Sequence, residues 1–238
     1  MIKEGGERMK SQGNIRLSID LLMTAALLFV SGYQFWGEMV HEWVGAGLFV
    51  LFIAHQFLNL SWYKHLLKGR YTPLRILQFA IASLVLAAML MQMYSGIVLS
   101  RYVFDFLPLT SGLALARRLH ILGAYWGILL MSLHLGIHWQ MIIAILRKRT
   151  KITSPSKIRS AICTGSGLVI AGYGLLVLNK RDFLTYLLLR SEFVFLDYSE
   201  PVLLFYRDYL ALMGLCIFIA HYLAKLCRKF STRKETAQ

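Results

Sequence analysis

Seven histidines stand in this sequence, and four of them repeat a spacing: His41 and His55 are 14 residues apart, and so are His120 and His134. In a helix, 14 residues end about 40° short of four full turns, so the two members of each pair share one face, about 21 Å apart along the axis. Imidazole donates a lone pair to transition metals and is a standard axial ligand of haem iron. If the helices carrying the pairs run parallel, His41 comes level with His120, and His55 with His134. Two facing pairs at two depths would each grip one iron from both sides. The spacing therefore predicts two b-type haems, held by His41, His55, His120 and His134. No C-x-x-C-H motif is present to attach them covalently.

Those helices are expected to cross a membrane. Of the 238 residues, 57% are hydrophobic and 16% charged, with mean hydropathy +0.56. A soluble domain has roughly 45–50% and about 25%. Six mainly apolar segments, at 17–36, 41–63, 74–99, 120–146, 158–178 and 202–226, can each cross a hydrocarbon core of about 30 Å. The fold class is therefore all-α: a polytopic membrane protein of six transmembrane helices. Residues 17–146 form a four-helix di-haem core after a cytosolic tail at 1–16. A basic loop, two further spans and an outer segment occupy 147–238. No room is left for a separate catalytic domain. The second and fourth spans are separated by one crossing, so they run parallel as the pairing requires. Thr72-Pro73 reads as a helix start, and Ser154-Pro155 reads likewise.

The 26 Lys and Arg against 12 Asp and Glu would suggest nucleic acid in a soluble protein. Here 19 of the 26 fall in the segments that lie inside when the N-terminus is inside, among them Arg147, Lys148, Arg149 and Lys151. The excess is a topology signal: a multi-pass protein of the cytoplasmic membrane with both termini cytosolic, its neighbour a lipid bilayer and no nucleic acid. Tyr33, Phe35 and Trp36 read as an interfacial belt, and the first span as a retained helix rather than a cleaved leader. Cys163 and Cys216 read as packing residues.

The surroundings suit a macrocycle wedged between helices, which needs close backbone approach. Gly32 and Gly45 lie near the outer level of the first hairpin, Gly96 and Gly123 near that of the second. A weak internal repeat joins the two: Ser31-Gly32 precedes His41 and Ser95-Gly96 precedes His120, while His55-x3-Asn59 is echoed by His134-x3-His138. His138 is the alternative inner ligand. It shares the face of His120 but sits about 6 Å deeper than His134, whose level matches His55. A propionate contact, a quinone site and an interfacial anchor beside Trp139 are its other readings. His65 reads as solvated, and His221 has no equally spaced partner.

The stretch running through Ser31-Gly32, His41-Glu42, His55-x3-Asn59-x2-Trp62, Ser95-Gly96, His120 and His134-Leu-Gly-Ile-His138-Trp139 resembles the flavinylation-associated cytochromes, a family long catalogued as a domain of unknown function. The resemblance covers about residues 15–146. In layout it is similar, more widely, to the di-haem cores of cytochrome b and of ferric reductases. It implies b-type haem, electron transfer across the membrane, and an extracytosolic partner bearing covalently attached flavin.

With both axial positions filled, such irons pass electrons rather than bind oxygen. The expected function is an electron wire between an inner donor, a membrane quinone or a dehydrogenase, and the outer flavin-bearing protein. The alternative is a quinol oxidoreductase or metal reductase subunit with its own substrate site. The outer stretch at 182–200 reads as an interfacial or re-entrant element, because 183–189 is too short to cross. The glycines of the fifth span read as helix packing.

Overall fold

The computed structural model describes the backbone of residues 2–66, 68–69, 71–107, 109, 111–152 and 154–235, with side chains in those stretches from 13 to 230. Lys3, Arg8, Lys10, Arg70, Arg233 and Lys234, which entered the orientation count, lie outside the described side chains. The elements in order are α1 (Ile2–Ser31), α2 (Tyr33–Leu58), α3 (Leu60–His65), α4 (Pro73–Leu99), α5 (Leu113–Ile137), α6 (Trp139–Thr150), α7 (Lys157–Lys180), α8 (Phe183–Leu187) and α9 (Val202–Glu235). Among the described residues there is no strand. Six helices are long and apolar enough to cross a membrane: Gly13–Ser31 of α1, all of α2, α4, α5 and α7, and Val202–Phe230 of α9. The chain is an all-helical polytopic membrane protein.

Local chemistry accounts for the helix ends. Thr72 caps α4 by accepting the amide of Arg75, with Pro73 in the first turn. For α7 the cap is Ser156, which accepts the amide of Arg159; Ser154-Pro155 lies just ahead of it. The first hairpin differs most from the expected spans. Its turn comes at Gly32, not after Trp36. Tyr33–Trp36 make one further turn before Gly37, whose φ of 77° breaks the helix and is open chiefly to glycine. The straight part of α2 thus begins just before His41, which keeps that histidine near one end of its span. The basic stretch at 147–149, expected in a loop, is the last turn of α6.

The helices pack as three hairpins. α1 lies on α2, α4 on α5, and α7 on α9; α9 also packs against α5 and touches α4 and α6. One core joins Met23, Phe52, Val85, Met89, Leu130 and Ala220, and a second joins Ile128, Val177, Phe183 and Leu212. Small residues let α9 come close. A Cβ on Gly136 would stand 2.7 Å from the Ile217 carbonyl oxygen, and one on Gly174 would run into the carbonyl of Ala211. The glycines of α7 therefore divide: Gly167 and Gly174 face α9, while Gly165 and Gly172 face open space. Cys216 is buried, whereas Cys163 lies exposed on α7.

The stretch at 182–200 is neither a span nor a free loop. Phe183, Tyr186 and Leu187 of α8 are buried at the His41 end of the bundle. Trp126 Nε1 on α5 donates to the Leu187 carbonyl at 3.0 Å, and Tyr125 stacks on Tyr186 with centroids 4.5 Å apart. Beneath it, Asp208 of α9 is fully buried and accepts from Tyr173 (2.5 Å), Lys180 (2.6 Å), Arg181 (2.9 Å) and Arg207 (3.1 Å). Arg181 also pairs with Glu200, at 2.8 Å through Nη1. This cluster ties α7, the α8 segment and α9 together.

Removing the buried Asp208 carboxylate leaves Arg181 with Glu200 alone and strips Lys180 and Arg207 of their carboxylate partner. We expect Asp208→Leu to lose about 3–5 kcal/mol of stability, read as thermal unfolding in detergent. The exposed Arg118–Glu192 pair is the control: Arg118→Gln should change stability by less than about 1 kcal/mol.

Candidate site between the histidine helices

α2 and α5 carry the histidines on facing sides, yet they do not close-pack; each leans on its own hairpin partner instead. Across the gap, the rings of His41 and His120 stand with centroids 5.9 Å apart and planes 64° apart. Two imidazoles on opposite sides of one iron need a centroid separation of about 6 Å, given metal–nitrogen bonds of about 2 Å and a ring radius of about 1 Å. The observed spacing is close to that value.

Each ring of this pair is held through its other nitrogen. Nδ1 of His41 lies 3.0 Å from the Val30 carbonyl in the last turn of α1. A carbonyl can only accept, so Nδ1 carries the hydrogen and Nε2 keeps its lone pair. Nδ1 of His120 lies 3.1 Å from the Ser95 hydroxyl. Ser95 is fully buried, and the side-chain amide of Gln92 donates to the same Nδ1 at 3.1 Å. Metal-bound histidines characteristically donate their second nitrogen as His41 does, which fixes ring orientation and tautomer.

At the other level, Nδ1 of His55 donates to Asp20 Oδ1 of α1 at 2.8 Å. His55, His134, His138 and Asp20 lie within electrostatic reach of one another. Among the described ring pairs His134 meets His138, with centroids 5.0 Å apart, and not His55. The outer pair is thus brought into ring contact, and the inner histidines are gathered in one neighbourhood in which His134 meets His138.

The internal repeat appears in the backbone. α2 breaks at Asn59 into α3, and α5 breaks at His138 into α6, each four residues after the inner histidine. Asn59 closes its break by donating from Nδ2 to the His55 carbonyl at 2.8 Å. His138 is therefore the residue of the helix break as well as a candidate ligand.

The flanking glycines have different neighbours. Gly45 has nothing within 4 Å of an added Cβ. Gly96 sits against Phe49 at 3.4 Å, Gly123 against Gln92 at 3.1 Å, and Gly32 directly under the Tyr206 hydroxyl. Gly32 serves the approach of α9, and Gly123 that of α4. Gly127 is buried, yet nothing lies within 4 Å of its Cβ position. It stands seven residues from both His120 and His134, on their face and midway between the two levels. An open space there leaves room for a bulky flat group.

No protein-family model, curated protein or solved structure matches the chain. The site rests on its own residues. Among the described residues, no three His, Cys, Asp or Glu side chains converge on a bare metal ion. Two imidazoles per level suit an iron whose remaining ligands come from a macrocycle. Arg117 and Arg118 have protein neighbours at the same end, the Phe193 ring and Glu192. His221 lies edge-on to Tyr222.

Asp20 and Gly127 escaped the reading of the sequence. Asp20 had a usable signal, as an ionisable residue inside an apolar span. Gly127 had one too, a seven-residue offset from both histidines.

The two serines of the repeat act differently. Ser95 holds His120, whereas the Ser31 hydroxyl bonds to the Leu27 carbonyl of its own helix at 2.9 Å. Ser95→Ala should move the His120 ring nitrogen resonances in histidine-labelled protein and cost about 1 kcal/mol. Ser31→Ala should leave the rings of both His41 and His120 unmoved.

Proposed function

We propose that the chain is a b-type di-haem membrane cytochrome that carries electrons across the bilayer. The observation that carries this reading is the His41–His120 pair, spaced for one iron across a gap that the two helices leave open. His41 and His120 would hold one haem; His55, with His134 or its alternative His138, would hold the other. A haem iron with both axial positions filled supplies one-electron exchange and offers no open place to oxygen or substrate.

The chain's own residues have separable tasks in this reading. Val30, Ser95 and Asp20 fix the rings through Nδ1. Gly45 and Gly127 keep space beside the two histidine helices. The α8 segment, held by Trp126 and the Asp208 cluster, covers the bundle at the His41 end.

The basic residues cluster at the His55 end, which supports a cytosolic placement there and an extracytosolic placement of the His41 end in the cytoplasmic membrane. Donor and acceptor classes follow from the family that residues 15–146 resemble: a quinol or dehydrogenase inside, and a flavin-bearing protein outside.

The experiment is haem quantification per chain, with a reduced-minus-oxidised spectrum, on protein purified from haem-replete cells. Two haems are expected, falling to one or none in His41→Ala, His55→Ala or His120→Ala. Gly127→Leu should keep the protein folded and lower haem content by at least one per chain. A wild-type value of one would refute the two-level arrangement. Loss in His138→Ala with both haems kept in His134→Ala would assign His138 as the inner ligand. Quinol oxidation by the purified protein alone would favour the enzymatic alternative.

A further inference from the structure

The two levels hold their ligands through chemically different partners. At the His41 level the Nδ1 partners are uncharged: the Val30 carbonyl, the Ser95 hydroxyl and the Gln92 amide. At the His55 level the partner is the carboxylate of Asp20, at 2.8 Å. Resting on the di-haem reading above, we infer that Asp20 holds the midpoint potential at the His55 level below that at the His41 level.

Two effects run the same way. A carboxylate accepting the Nδ1 hydrogen draws positive charge from the imidazole and makes Nε2 a stronger donor. A stronger donor stabilises oxidised iron more than reduced iron. The negative charge itself, a few ångströms from the ring in a medium of low dielectric, also favours the more positive oxidation state.

Among the described charged groups, Asp20 is the one that bonds directly to a ligand ring, whereas Glu42 and Glu38 act on His41 only at a distance. Glu42 neighbours His41 in sequence, but its carboxylate is turned to the α4–α5 connection. There it accepts from the Ser100 hydroxyl (2.7 Å) and the amides of Arg101 (2.9 Å), Tyr102 (3.0 Å) and Val103 (3.2 Å). Arg118, close to His120 in sequence, is paired with Glu192, and Arg117 lies over the Phe193 ring. Arg228 is within electrostatic reach of His138, whereas Asp20 touches the His55 ring itself.

With the lower potential at the His55 level, one electron is lost there and one is gained at the His41 level, and no proton or group moves. A reductant of the quinol or dehydrogenase class refills the first site, and an oxidised flavin empties the second. Asp20 is a positioning and tuning residue. It acts on the iron through His55.

The test is a potentiometric titration of the full-length, haem-loaded protein. Wild type should resolve two potentials. Asp20→Asn keeps an oxygen for Nδ1 and removes the charge. It should shift the lower couple at least tenfold toward reduction, about 59 mV for one electron, and leave the upper couple in place. The low-spin ferric resonance of the same haem should move with it. Asp20→Glu, which retains the charge, should keep the potential low. Two haems with both potentials unchanged in Asp20→Asn, movement of the upper couple instead, or a rise in Asp20→Glu as large as in Asp20→Asn would overturn the inference. None of these results disturbs the di-haem reading. A wild-type protein with no haem would remove that reading, so the two failures are distinguishable.

Discussion

An imidazole inside a membrane helix has two ring nitrogens and no water to satisfy them. Leaving a polar group unpaired in apolar surroundings costs several kcal/mol. At the His41 level the protein meets half of this demand itself. Val30 and Ser95 stand at the Nδ1 sides, and the two rings meet across a gap that α2 and α5 do not close. The bundle is arranged around that pair. α2 turns at Gly37 to bring His41 opposite His120, and Gly127 stays bare midway along α5. The anchoring partners come from the hairpin mates α1 and α4, so each hairpin forms one wall with its ligands already aimed.

The third hairpin contributes differently. α9 presses on α5 where Gly136 admits the backbone of Ile217, between His134 and the helix break at His138. At the far end, Asp208 and its three cations fix α7, α8 and α9 as one block against α5. The last two spans thus brace the wall that carries His120 and His134, and meet the other wall at its His41 end, where Trp36 donates to Tyr206 and Phe35 packs on Phe205. α2 and α5 are equivalent in ligand spacing and in helix break, but α9 packs along α5 and meets α2 at one end.

The sequence carried the fold because its signals are local. Unbroken apolar runs mark the spans, Thr72-Pro73 marks the start of α4, and the 14-residue histidine intervals place four rings on two faces. What depended on distant partners was less legible. Asp20 meets His55 from 35 residues away, and Asp208 meets Lys180 from 28; each acid is visible in its span, but its partner is not. In sequence Tyr33, Phe35 and Trp36 are apolar enough to continue α1, while in the structure the turn is made by Gly32 and Gly37. The glycines show the same limit. Gly45 and Gly127 face open space and Gly32 faces Tyr206, and only tertiary packing separates those cases.

The central claim is that the two histidine levels together carry electrons from one face of the bilayer to the other. It is tested most directly by sealing ferricyanide inside proteoliposomes that hold the haem-loaded protein and adding a membrane-impermeant reductant outside. The account predicts that trapped ferricyanide is reduced with wild-type protein, and that the rate falls to that of protein-free vesicles in His41→Ala and in His55→Ala, each of which breaks one level. Reduction at the wild-type rate in both variants, or none above protein-free vesicles with wild-type protein carrying two haems, would contradict it.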